Sequence, residues 1–266
     1  VLGPIVSALA LAIAVADRDG FVTDPREVEF AFEDEARLWP YQRRAGKAFR
    51  TRGVPRDGAA VPLVVIAQGI IWDGRPHHWL TEDPTGPWDA RPVLDDLVAR
   101  GAIPPLVAAV ASQTRDGHDP TALRDLDLDA FVDALDQALS PAQRVDRRRI
   151  VVLGHSAAAC DGVHGAYATL RAKTRPRALL LVDGCLATQG AISAATSDGA
   201  DEIVYSFQDR VWLERPFAQF RSTFERNARP GHLLEKIDLD SVNAHLEIVE
   251  AVLRRHLPRI LGAGGS

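Results

Sequence analysis

The stretch Arg149-Ile150-Val151-Val152-Leu153-Gly154-His155-Ser156-Ala157-Ala158 decides how this chain is read. Ile150 to Leu153 is an apolar, largely β-branched run of the kind found in a strand buried on both faces. Gly154 permits a sharp turn, Ser156 sits at its apex, and very small residues follow, expected to be helical to about Arg171. The form Gly-x-Ser-x-Gly between a strand and a helix lifts a serine hydroxyl above the edge of a sheet. Its small residues make room where the strained turn crowds the backbone. Here Ala158 replaces the second glycine, a mild departure. The start of the following helix can stabilise a developing oxyanion.

Outward from this stretch, strands and helices alternate. Glu27 to Phe32 and Lys47 to Arg52 read as early strands. Pro62 to Gln68 (PLVVIAQ), Pro105 to Ser112 (PLVAAVAS) and Ala178 to Val182 (ALLLV) read as buried strands, and Ile203 to Phe207 and His232 to Ile237 complete the set. Helices are expected at Pro92 to Arg100, Thr121 to Leu139, Phe217 to Asn227 and Leu246 to Leu261. Turns are expected at Asp17 to Gly20 and Asp116 to Pro120, and a loop rich in Pro, Gly, Trp and His over Gly69 to Ala90. Apolar strands alternating with helices indicate an α/β domain with a mainly parallel sheet. Such sheets bind ligands beyond the carboxyl ends of their strands.

A serine hydroxyl needs a base, and the base needs an orienting carboxylate. In this arrangement they follow the serine in the order acid, then histidine. Asp209, just past the Ile203 to Phe207 strand, is the first choice of acid, and Asp183, after the preceding strand, is the alternative. His245, at the opening of the last helix, is the expected base. His232 reads as the start of a strand, His256 as a helical residue and His164 as structural. His77 and His78 sit in the loop after the third strand. The oxyanion hole needs two backbone N–H groups. Ala157 supplies one and Ile70, with Gly69 second, the other. Gln68, Trp72 and His155 are the expected substrate-binding residues. Trp79 and Trp88 join Trp72 either as an aromatic wall or as packing.

Composition narrows the rest. The 266 residues are 46% hydrophobic and 25% charged with a formal charge of -5, which suits a globular chain and leaves no basic footprint for nucleic acid. Only Lys47, Lys173 and Lys236 are lysines in an arginine- and alanine-rich text, which suggests a GC-rich bacterial genome. Val1 to Ala16 is uncharged and shorter than a membrane-spanning helix requires. It reads either as a secretory remnant, implying a periplasmic or secreted protein, or as an ordered N-terminal helix of a cytoplasmic one. With two cysteines there is no disulfide framework and no four-cysteine zinc site. Cys160 and Cys185 are expected to be free buried thiols, with a disulfide as the alternative.

These residues resemble the α/β-hydrolase family, and within it the lidless group of esterase D-like and feruloyl-esterase-like enzymes. Pro62 to Gly69, Val93 to Ser112 and Asp146 to Ala158 carry the resemblance, which covers about residues 45 to 262. His245 matches the family's final histidine by position. The family commonly has His-Gly where this chain has Gln68-Gly69, and Gly-Gly where this chain has alanines. The resemblance implies an α/β-hydrolase fold without a large lid, with residues 1–26 an apolar N-terminal segment and residues 27–266 the catalytic domain. The expected activity is hydrolysis of small-molecule or polymeric esters through an acyl-enzyme, with no cofactor, metal, nucleic acid or membrane span. A peptidase or amidase on the same triad, and a non-catalytic binding protein, are the alternatives.

Overall fold

The protein is described by a computed structural model for residues 24–34, 43–69, 78–80, 89–111, 125–211 and 216–262. Val1 to Ala16 and the turns expected at Asp17 to Gly20 and Asp116 to Pro120 lie outside these residues. Among the described residues eight strands form one sheet: β1 (Glu27–Glu33), β2 (Arg43–Arg50), β3 (Ala59–Ala67), β4 (Val107–Ala111), β5 (Gln143–His155), β6 (Ala178–Val182), β7 (Glu202–Phe207) and β8 (Leu233–Lys236). Their spatial order is β1-β2-β4-β3-β5-β6-β7-β8. The β1–β2 and β2–β4 pairs are antiparallel. From β4 through β8 every pair is parallel.

The central strands are buried because helices cover both faces. Alternation along β3 sends Val61, Leu63, Val65 and Ala67 into a core that includes Phe131, Leu135, Phe220 and Phe224. Those residues belong to α2 (Leu128–Leu139) and α4 (Phe217–Asn227), and α3 (Thr188–Thr196) lies on the same side. Val64 and Ile66 point the other way, toward α1 (Arg91–Ala99) and α5 (Ala244–Leu261). Ile150, Val151, Val152 and Leu153 are fully buried, each contributing about 1.5–3 kcal/mol relative to exposure. Ile248, Val249, Val252, Leu253 and Leu257 form the buried stripe of α5. This stripe fixes the helix against the sheet and so fixes where its first turn, with His245, must lie.

Several sequence expectations are corrected. α2 begins at Leu128 instead of Thr121, because the Asp127 side chain caps it by accepting from Ala130 N at 3.0 Å. The segment after Ser156 is two 3-10 helices, Ser156–Ala159 and Ala166–Arg171, rather than one continuous helix. Gly162 and Gly165 separate them with φ of 82° and 62°. A Cβ on Gly165 would meet the Ala158 carbonyl oxygen at 2.5 Å. The helix α3 was not anticipated. It packs through Gly190, Ala191, Ala194 and Ala195, which carry little apolar signal. No helix among the described residues is long and apolar enough to cross a membrane.

Candidate active site

Ser156 follows directly on β5 with φ at 57°, a left-handed conformation that a side-chain-bearing residue adopts only under constraint. The constraint is visible on both sides. A Cβ on Gly154 would lie 2.4 Å from that of Ala166, and a Cβ on Gly69 would lie 2.7 Å from that of Ser156. The β3 and β5 ends therefore press on the serine with no side chain between them. The Ala157 amide sits in the same crowded corner, 3.1 Å from that built Gly69 Cβ.

His245 lies on the first turn of α5. Its Nε2 is 3.0 Å from Ser156 Oγ and its Nδ1 is 2.6 Å from Asp183 Oδ2. A carboxylate only accepts, so Nδ1 carries the proton and Nε2 presents its lone pair to the serine hydroxyl. The Asp183 side chain is fully buried and that of His245 is partly exposed. Gln208 donates to Asp183 from its Nε2 at 2.8 Å and from its backbone N at 3.3 Å. The Gln208 Oε1 accepts from the amides of Arg210 and Val211, which locks the carboxamide in place.

The expected pairing of Asp209 with His245 is thus corrected. The Asp209 side chain is exposed and lies 2.7 Å from Lys236 Nζ. The reason is positional. β6 is bonded directly to β5, with His155 opposite Val182, so Asp183 stands one strand spacing from Ser156. β7 lies one strand further out, and neighbouring strands are about 4.8 Å apart. Gln208, just past β7, holds the Asp183 carboxylate and was not singled out in the sequence, where no local pattern distinguishes it.

His155 follows Gly154, which pairs with Ala67 at the end of β3. Its imidazole lies between Trp79, edge-on at 5.3 Å, and His245 at 4.6 Å between ring centroids. Its Nε2 is 2.7 Å from the His245 carbonyl oxygen and donates to it, since a carbonyl can only accept. Burial, with the adjacent His245, pushes the His155 imidazole down to about 3. This is a supporting position behind His245, not the substrate-facing one expected. Trp79 is buried behind it. Gln68 is 1% exposed, and among the described residues neither its Oε1 nor its Nε2 has a hydrogen-bond partner. Ile70, Trp72, His77 and Trp88 lie outside the described residues, as does the His78 side chain.

Among the described residues the remaining histidines are engaged elsewhere. His164 pairs with Asp125, His232 donates to the Ala195 carbonyl, and His256 contacts Glu235. Cys160 and Cys185 form a disulfide with 4.7 Å between Cα atoms, which corrects the expectation of free thiols. Adjacent strands β5 and β6 bring the two following loops within bridging distance. No group of three His, Cys, Asp or Glu side chains among the described residues is arranged to hold a metal.

A ferulic acid esterase structure superposes on 88% of this chain and 97% of its own, with a TM-score of 0.62 and 13% identity. The chain has the α/β-hydrolase fold. The enterobactin esterase of Shigella flexneri matches with a TM-score of 0.57 and 20% identity, over 90% of this chain and 60% of that one. The enterobactin esterase of Salmonella typhimurium matches with a TM-score of 0.53 and 17% identity, over 88% and 57%. No protein-family model and no curated protein matches the sequence.

Proposed function

We propose that the chain is a serine hydrolase of carboxylic esters. One observation carries this reading: the unbroken line from buried Asp183 through His245 to Ser156 Oγ, built on a strained turn at the carboxyl end of β5. Ser156 Oγ attacks the acyl carbonyl while His245 Nε2 takes its proton. Asp183 holds the tautomer and stabilises the imidazolium. His245 then returns the proton to the leaving alcohol, and water cleaves the acyl-enzyme by the same route. The Ala157 N–H, with a second amide from Gly69-Ile70, receives the developing oxyanion.

The substrate class follows from what surrounds the serine. The turn after β6 leads within a few residues into α3, leaving no inserted lid in that connection. Short-chain or aryl esters are the substrates this reading favours, and the feruloyl and enterobactin esterases to which the fold is similar support that choice.

Hydrolysis of p-nitrophenyl acetate and butyrate, beside p-nitroanilides of the same acyl groups, tests the reading. The wild type is expected to turn over the esters and Ser156→Ala to leave the uncatalysed rate. Turnover of the anilides alone would make the chain an amidase. Folded wild type inactive on both, with no fluorophosphonate adduct on Ser156, would overturn the hydrolase reading.

A further inference from the structure

Among the described residues, three non-glycine residues have left-handed φ: Ser156 at 57°, Asp183 at 50° and Leu186 at 56°. All three lie in the two segments that the disulfide joins. Cys160 caps the 3-10 helix that Ser156 begins, and Cys185 sits between Asp183 and Leu186. Such backbone conformations persist only where the surroundings hold them.

The two segments are also in tight contact. A Cβ on Gly184 would meet the Ala159 carbonyl oxygen at 2.3 Å, so the acid-bearing turn lies directly on the helix that follows the serine. Tyr205 Oη donates to the same carbonyl at 3.3 Å, and the Cys185 amide lies 3.1 Å from Cys160 Sγ. Gln208 holds the Asp183 carboxylate but spans to β7, away from the serine. The covalent tie between the nucleophile's segment and the acid's segment is the cystine. Cys185 is exposed and Cys160 half-buried, so a reductant can reach the bond.

We propose that the Cys160–Cys185 disulfide is a positioning element of the reaction, keeping Asp183 on His245, and that its reduction by a dithiol lowers turnover while leaving Ser156 in place. In that step the S–S bond breaks and the cystine takes up two electrons and two protons to give two thiols. The dithiol is oxidised to its own disulfide. The inference rests on the reading of Ser156, His245 and Asp183 as an ester-hydrolysing triad.

The experiment compares oxidised wild type with wild type treated with dithiothreitol and capped with iodoacetamide. The chain has 2 cysteines, so complete reduction is read by mass as two added caps. Cys160→Ser/Cys185→Ser is measured alongside. Circular dichroism establishes that each species is folded. On p-nitrophenyl acetate, kcat is expected to fall about 10- to 100-fold, the scale of a small misplacement of a catalytic group. KM is expected to stay within about threefold. Reduction of Asp183→Asn is expected to change its residual kcat by less than about twofold, because the group the disulfide positions is already gone.

An unchanged kcat in folded, reduced wild type overturns the proposal. So does an equal fractional loss in the wild-type and Asp183→Asn backgrounds, which would mark a general loosening. If the double variant fails to fold, reduced and capped wild type decides alone. Oxidised wild type that neither hydrolyses the ester nor takes a fluorophosphonate on Ser156 removes the triad reading itself, a failure distinct from insensitivity to reduction.

Discussion

Beyond the ends of β5 and β6, Asp183, His245 and Ser156 are linked in that order. Near the end of β7, Ser206, Glu235 and His256 bring together the same kinds of side chain in a different order. There Glu235 is central: its Oε1 accepts from Ser206 Oγ at 2.8 Å and lies 2.6 Å from His256 Nε2. The serine proton is committed to a carboxylate, and the imidazole does not touch the hydroxyl. Ser206 is fully buried, where no substrate can reach it. The contrast teaches that residue types do not make a nucleophile. The imidazole must stand between acid and hydroxyl, and the hydroxyl must sit at a turn that faces outward. The second cluster instead ties β7 and β8 to α5, the helix that carries His245.

The sharpest way to break this contrast is to remove each serine. Ser156→Ala is expected to lower kcat by about 10⁴-fold or more. Ser206→Ala is expected to leave ester turnover within about threefold and to lower stability by about 1 kcal/mol, read by urea denaturation. Equal activity losses would erase the distinction between the clusters.

Glu235→Gln comes next. Burial works to raise the Glu235 carboxyl, but hydrogen bonds from His256 and Ser206, with the neighbouring His256 charge and Arg255, hold it down at about 2. The substitution is expected to cost about 2–3 kcal/mol of folding free energy with kcat little changed. A collapse of kcat in a still-folded variant would give this cluster a role in the reaction.

Acid sharpens the comparison through both clusters. Unfolded His155 takes up a proton below about pH 6.5 that the folded chain refuses until about pH 3. Stability from this residue is therefore complete above pH 6.5 and declines as the pH falls through that window. Glu235 adds a second decline between its ordinary 4.5 and about 2. His155→Gln keeps a donor for the His245 carbonyl, so the fall in melting temperature between pH 6.5 and 4.5 is expected to flatten. An unaltered slope would show that His155 is not the group being titrated.

What could be read from the sequence was what is contiguous in it. The apolar run Ile150 to Leu153 and the glycine before Ser156 specify strand and turn within ten residues. Phe217–Asn227 is a helix with the bounds its sequence suggests, and Ala178–Val182 a strand with the bounds its own suggests. The choice between Asp183 and Asp209 depends on which strand lies beside β5, and chain order does not contain that lateral neighbour. The disulfide stood in the sequence only as the alternative to free thiols, because it needs bridging geometry as well as the adjacency of β5 and β6. The break after Ala159 was hidden because alanines and glycines suit a 3-10 turn, a helix or a tight packing contact equally. Gln208 carried no signal at all, because its role exists only once Asp183 is beside it.

The most direct test of the account is ester turnover by Asp183→Asn and Asp209→Asn measured side by side. Asp183→Asn is expected to lower kcat by about 10⁴-fold, as loss of the acid that fixes a histidine tautomer does, while Asp209→Asn, which loses only an exposed pair with Lys236, stays within about twofold. Loss of turnover in Asp209→Asn with activity retained in Asp183→Asn would contradict it.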